Sequence, residues 1–275
     1  MKALKRLSLN QATIRQWGVK EVVEGCAASG VGFVGLWREP VAAHGLEATA
    51  RLLRDTGVQV SSLCRGGFFP APTRLERRRR IAENHRAVDE AAALGTDILV
   101  LVCGGLPEGS RDLDGARQMV ADGIAEVLPY AAAKNVKLAV EPLHPMYTAD
   151  RSVICSLKQA NDLAARFASE WLGVVIDVYH VWWDPCAEQE IARAKKKTLG
   201  FHVCDWLVPT PDMLNGRGMM GDGVIDLVGL RERVEKAGYR GPIEVEIFNE
   251  SLWALPADEL LQLVKTRFKE HVMGK

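Results

Sequence analysis

Val136-Lys-Leu-Ala-Val-Glu141 and Leu172-Gly-Val-Val-Ile-Asp177 read as short apolar strands that each finish on a carboxylate. Two later stretches have the same form: Leu199-Gly-Phe-His202, running on into Val-Cys-Asp205, and Ile243-Glu-Val-Glu246, running on into Ile-Phe248. Each ends in a residue type that binds metal ions. In a parallel α/β barrel all strand ends open on one face, so four residues far apart in sequence converge there on one cation.

The rest of the chain supplies the remaining units. Upstream, strands are expected at Leu4–Leu9, Val31–Trp37, Val58–Cys64 and Asp97–Cys103, separated by helices at Val19–Ala28, Leu46–Asp55 and Arg74–Leu94. Gly30, Gly57 and Gly95 stand where those helices must stop. Downstream, helices at Leu113–Lys134, Ser156–Ala168, Ala187–Lys196 and Asp226–Ala237 alternate with the strands, and a last helix covers Pro256–His271. Alternation throughout implies βαβ units and a parallel sheet. Eight such units make an α/β fold, a single (β/α)8 TIM barrel spanning residues 1–275, and barrels of this kind run to about 250 residues.

Composition agrees with one large core. Hydrophobic residues are 48% of the chain and charged residues 25%, which leaves no segment disordered by composition. Lys and Arg total 35 and Asp and Glu total 35, so no net charge draws the chain to nucleic acid or an anionic membrane. Arg77 to Arg80 lie in a helix with apolar Leu75, Ile81 and Val88 and read as a solvated outer face. No leader-like apolar run follows the N-terminus and no stretch reaches the roughly 20 apolar residues of a membrane span. A soluble cytoplasmic protein is expected, with the six cysteines reduced and a homo-oligomer as the default assembly.

Two Glu, one Asp and one His form a mixed oxygen and nitrogen set suited to one divalent ion, Mn²⁺, Mg²⁺, Co²⁺ or Zn²⁺. Glu244 shares a face with Glu246, one layer deeper, and is expected to need a buried Arg or Lys partner. His180 follows Asp177 by three residues and points to substrate binding beside the metal. His144 occupies the loop after Glu141. The loop from Asp205 to Ile225 is long for a compact domain and carries Arg217, expected on substrate oxygens. Its glycines formally match G-x-G-x-x-G but follow a loop, which argues against a dinucleotide site. Trp37, Cys64, Arg65 and Cys103-Gly-Gly105 are candidate pocket walls. No run of basic residues marks a phosphate site, which favours a non-phosphorylated sugar, an inositol ketone or a glycoside.

Glu141-Pro-Leu-His-Pro, Asp177-Val-Tyr-His180, Phe201-His202-Val-Cys-Asp205, Arg217 with Gly221-Asp-Gly-Val-Ile-Asp226, and Gly238-Tyr-Arg-Gly-Pro-Ile-Glu-Val-Glu246 together resemble the xylose-isomerase-like barrels, the sugar phosphate isomerase/epimerase group. The resemblance is close in the C-terminal half and extends to the N-terminal half only as the βα rhythm. It implies that Glu141, Asp177, His202 and Glu246 bind the metal, that Glu141 and Glu246 also move protons, and that His180 and Arg217 hold substrate oxygens. The implied function is metal-dependent isomerisation or epimerisation of a ketose through an enediolate. The alternative is an eliminating lyase, a keto-inositol dehydratase or a lyase on a keto-glycoside, which shares the first step. Abasic-site endonucleases of the same group use three zinc ions and extra histidines. Here strands two to four end in Trp37, Cys64 and Cys103, which makes that reading remote.

Overall fold

The protein, described by a computed structural model over residues 2–275, closes eight parallel strands into a barrel. The strands are β1 (Leu7–Asn10), β2 (Phe33–Trp37), β3 (Gln59–Gly67), β4 (Ile98–Val102), β5 (Lys137–Glu141), β6 (Leu172–Asp177), β7 (Thr198–Val203) and β8 (Ile243–Val245). Each pairs with its sequence neighbours, and β8 closes on β1 with Leu7 opposite Ile243. The α/β fold is a (β/α)8 TIM barrel. Among the described residues no helix is long and apolar enough to cross a membrane.

Alternation along the strands decides what faces inward. On β4, Ile98 and Val100 join Cys64, Ala139 and Val175 inside the barrel, while Leu99 and Leu101 pack outward against the helices. Every β4 side chain is buried, as its continuous apolar sequence requires. The barrel interior is therefore apolar on the β3 to β6 side. On the β1, β7 and β8 side, buried polar groups replace the hydrocarbon: Ser8, Asn10, His202 and Glu244.

Helices surround the sheet, and Gly30, Gly57 and Gly95 end three of them in the left-handed conformation, with φ of 72°, 73° and 76°. Gly35 is required for another reason. A Cβ there would stand 2.0 Å from Glu244 Oε1, so β2 leaves room for a carboxylate that reaches in from β8, two strands away.

Three expectations need correction. The first strand starts at Leu7, because residues Lys2–Arg6 form a 3-10 turn and Arg6 reaches outward to the carbonyl of Gly241 and to Glu235. The loop from Asp205 to Ile225 is not structureless: Asp205–Trp206 and Arg217–Gly218 pair as a short antiparallel ladder. Short helices absent from the sequence reading occupy Arg38–His44, Val178–Val181 and Glu250–Trp253 in the connections after β2, β6 and β8. The cysteines are free, with Cys26, Cys64, Cys103 and Cys204 buried and Cys186 exposed.

Candidate metal centre

Glu141 ends β5, Asp177 ends β6, His202 lies one residue before the end of β7, and Glu246 follows β8 directly. Register aligns them, with His202 opposite both Asp177 and Glu244. One ligand atom from each of Glu141, Asp177, His202 and Glu246 lies within 4.8 Å of the others, and all four residues are buried. Glu141 Oε1 and His202 Nδ1 stand 3.3 Å apart, yet neither makes a hydrogen bond. Buried polar atoms normally find partners. Three carboxylates and an imidazole nitrogen around one point, two of them with lone pairs otherwise unused, fit a divalent cation.

Charge in the cluster is unbalanced without one. Arg217 is the guanidinium present, and its Nη1 donates to Asp177 Oδ2 at 3.0 Å and Glu246 Oε2 at 3.1 Å. Burial pushes both the Asp177 and Glu246 carboxyls up against the opposing pull of Arg217. Burial would lower His202, but the carboxylates of Glu244, Glu141 and Glu246 raise it to about 10. Burial and then Arg217 push His180 well below the ordinary histidine value, so its imidazole is neutral.

Glu244 was expected beside an Arg or Lys, and the structure supplies different partners. Its carboxylate accepts from Asn10 Nδ2 at 2.6 Å, Ser61 Oγ at 2.6 Å and Ser62 Oγ at 3.0 Å. Its Oε2 stands 3.9 Å from His202 Nε2, the nitrogen facing away from the cluster. At that distance the carboxylate acts through its charge, which raises the basicity of the ring. Asn10 joins the two layers, because its Nδ2 also donates to Glu246 Oε1 at 3.1 Å while its Oδ1 accepts from Trp37 Nε1.

Arg217 is delivered by the short ladder. Its main chain is fixed at both ends, by the carbonyl of Phe248 and by Asn249 Nδ2, and its guanidinium lies over the rings of Tyr179 and Phe248. Buried Asp205 accepts from the backbone N–H groups of Gly221 and Ile225 and so closes the loop that carries it.

The cluster opens into a cavity of about 290 Å³ lined by Glu141, His180, Arg217, Glu246, Trp37 and Cys64, among others. His180 thus stands beside the cluster, with Nδ1 accepting from the main-chain N–H of His144. The His144 ring is not brought to the cavity. It stacks on Trp206 at 5.2 Å, meets Trp183 edge-on, and accepts from Met146 N–H. Arg217 touches the carboxylates of the cluster as well as lining the space. Cys103 and the glycines after it do not line the cavity.

Sequence reading missed Asn10, Ser61 and Ser62 beneath the cluster, and Arg15, Tyr147, Arg151 and Phe248 around its mouth. A signal existed for the first group: Ser8 and Asn10 place polar side chains on one face of a strand whose other face is leucine. None existed for the second, which comes from separate loops.

Known proteins add a consistent context. A family model described as a xylose isomerase-like TIM barrel matches residues 23–267. The solved structure of protein SMc04130 from Sinorhizobium meliloti 1021 is 53% identical, covers 98% of each chain and superposes with a TM-score of 0.96. A 3-dehydroshikimate dehydratase of Pseudomonas aeruginosa is 28% identical over 75% of this chain and 32% of its own length, so the chain spans about a third of that relative. The putative L-ribulose-5-phosphate 3-epimerase SgbU of Escherichia coli K12 is 28% identical over 78% of this chain and 73% of that protein.

Proposed function

The chain belongs to the xylose isomerase-like TIM barrel family, and on that premise we propose that it is a divalent-metal-dependent isomerase or epimerase acting on a keto-sugar or related ketone. The observation that carries this reading is the buried set of Glu141, Asp177, His202 and Glu246, with ligand atoms within 4.8 Å of one another and two of those atoms without hydrogen bonds. A divalent ion bound there supplies Lewis-acid stabilisation of negative charge developing on the substrate's carbonyl and hydroxyl oxygens.

The chain's own residues do the rest. Glu246 removes the proton α to the carbonyl, a transfer that its burial favours by raising its basicity. Glu141, on β5 three strands away, delivers the proton of its own carboxyl to the other face of the enediolate, so that turnover leaves Glu246 protonated and Glu141 ionised. Two carboxylates on two sides of one carbon are what inversion needs. Neutral His180 and cationic Arg217 present hydrogen-bond donors to substrate oxygens, and Tyr179 and Phe248 keep the guanidinium in place by stacking.

The similarity to a dehydratase favours a second reading, in which the same enediolate expels a leaving group from the next carbon. Metal analysis of purified protein tests what the two share. About one divalent ion per chain, lost in His202→Ala, supports the site, and a chain that takes up no ion refutes it.

A further inference from the structure

Three arginines from three different parts of the chain line the mouth of the cavity: Arg15 just after β1, Arg65 near the end of β3 and Arg151 after β5. Nothing in the sequence groups them. Each guanidinium lies over an aromatic ring. Arg15 is 4.1 Å from the centroid of Trp253 and 5.1 Å from Phe248, Arg65 is 4.5 Å from Phe68, and Arg151 is 5.6 Å from Tyr147. Stacking holds the planar group while leaving its N–H edge free to donate.

Neighbouring acids offset part of the charge of this rim without taking up its N–H donors. Glu39 stands 4.0 Å from Arg65 and Asp150 stands 3.8 Å from Arg151, both beyond hydrogen-bond reach and both on exposed side chains. Asp212 lies in the loop nearby and is tied to the main-chain N–H groups of Leu214 and Asn215. Burial alone moves Arg15, downward, with no carboxylate opposing it. The contrast with other arginines of this face is clear. Arg38 is locked between Glu83 and Glu90, and Arg80 donates to main-chain carbonyls. Those two are structural, whereas the three at the mouth have donors to spare. A cation rim over a cavity of about 290 Å³ focuses potential on an incoming anion.

We propose that Arg15, Arg65 and Arg151 bind an anionic group of the substrate, a carboxylate or a phosphate, while the ketone end of the same molecule reaches Glu141, Asp177, His202 and Glu246. The substrate is then a keto acid or a keto-sugar phosphate. This departs from the preference for an uncharged sugar, which rested on the absence of a basic run; the basic group exists only after folding. The inference rests on the ketone reading of the site above, and its test is separable from that reading.

The test is calorimetric binding of matched probes to the metal-loaded protein: D-xylulose against D-xylulose 5-phosphate, and 3-oxocyclohexanecarboxylate against its methyl ester. Within at least one pair the anionic member is expected to bind about tenfold or more tightly than its neutral partner. That advantage should shrink with added salt, and shrink several-fold in R15Q, R65Q or R151Q, each checked for fold by circular dichroism. A preference confined to the first pair assigns phosphate and one confined to the second assigns carboxylate. Equal binding within both pairs, or a preference that survives all three substitutions, overturns the proposal. Deuterium exchange into bound ketone is recorded on the same samples. Exchange without an anion preference sinks the arginine rim alone, and an anion preference without exchange sinks the proposed reaction alone.

Discussion

Glu246 accepts hydrogen bonds from Asn10 and Arg217 at once and lies among the other three members of the cluster. Glu246→Gln keeps the volume and one acceptor oxygen, so the fold and much of the metal affinity should persist while turnover falls by about 10²–10⁴-fold; steady-state rates and metal titration read both. Glu244→Gln acts differently, because Glu244 reaches the cluster indirectly, beside His202 and through Asn10. It should weaken divalent-ion affinity by about 10–100-fold, with Glu244→Asp recovering part of the loss. The pH behaviour follows from His202. Its value of about 10 lies above the ordinary 6.5, so in metal-free protein its contribution to stability is complete below 6.5 and is lost as pH rises through 10. Metal uptake must displace that proton, so apparent affinity should rise with pH, by up to about tenfold per unit, towards pH 10. Thermal melts of the metal-free form and isothermal titration across pH check the two signs.

The connection after β7 is the element on which Arg217 depends. Asp205→Ala would leave the N–H groups of Gly221 and Ile225 without their acceptor, at about 1–3 kcal/mol for the buried Ile225 amide left unpaired. Hydrogen exchange should then accelerate across residues 205–225 while the barrel strands stay protected. Much of this scale was legible beforehand. Strand ends at Glu141 and Asp177 could be located because their nearly continuous apolar runs admit few alternatives, the one at Glu246 from the alternation Ile243-Glu-Val-Glu246, and helix ends at Gly30, Gly57 and Gly95 because glycine marks the left-handed cap. The polar face of β1 at Ser8 and Asn10 was legible, but its meeting with Glu244 was not. The partners of that carboxylate lie on β1 and β3, more than 180 residues away, and only barrel closure brings Asn10, Ser61 and Ser62 beneath it. The short ladder that positions Arg217 was hidden for a related reason: two residues per strand leave no periodicity to read.

At the scale of the whole molecule, one half of the barrel interior is hydrocarbon and the other is a polar column running from Glu244 up to the cluster and the arginine rim. Such a column is costly unless its charges are met. A cation that binds only the folded chain should stabilise it by about 2.7 kcal/mol at a hundredfold excess over Kd. Chelation should accordingly lower the melting temperature measurably. Of the rim only Arg65, near the end of β3, was legible as a pocket wall; Arg15 and Arg151 join it from separate loops, and such convergence has no one-dimensional signature. The central claim is that Glu246 moves a proton at a carbon next to a carbonyl in a metal-bound site. Its most direct measurement is solvent-deuterium incorporation, followed by NMR, into a panel of ketoses, keto acids and keto-sugar phosphates with metal-loaded wild-type protein and Glu246→Gln. Deuterium entering α to the carbonyl with wild type, and none with a variant that still holds its metal, is the predicted result. Undiminished exchange in the variant, or no exchange with any member of the panel, would contradict the account.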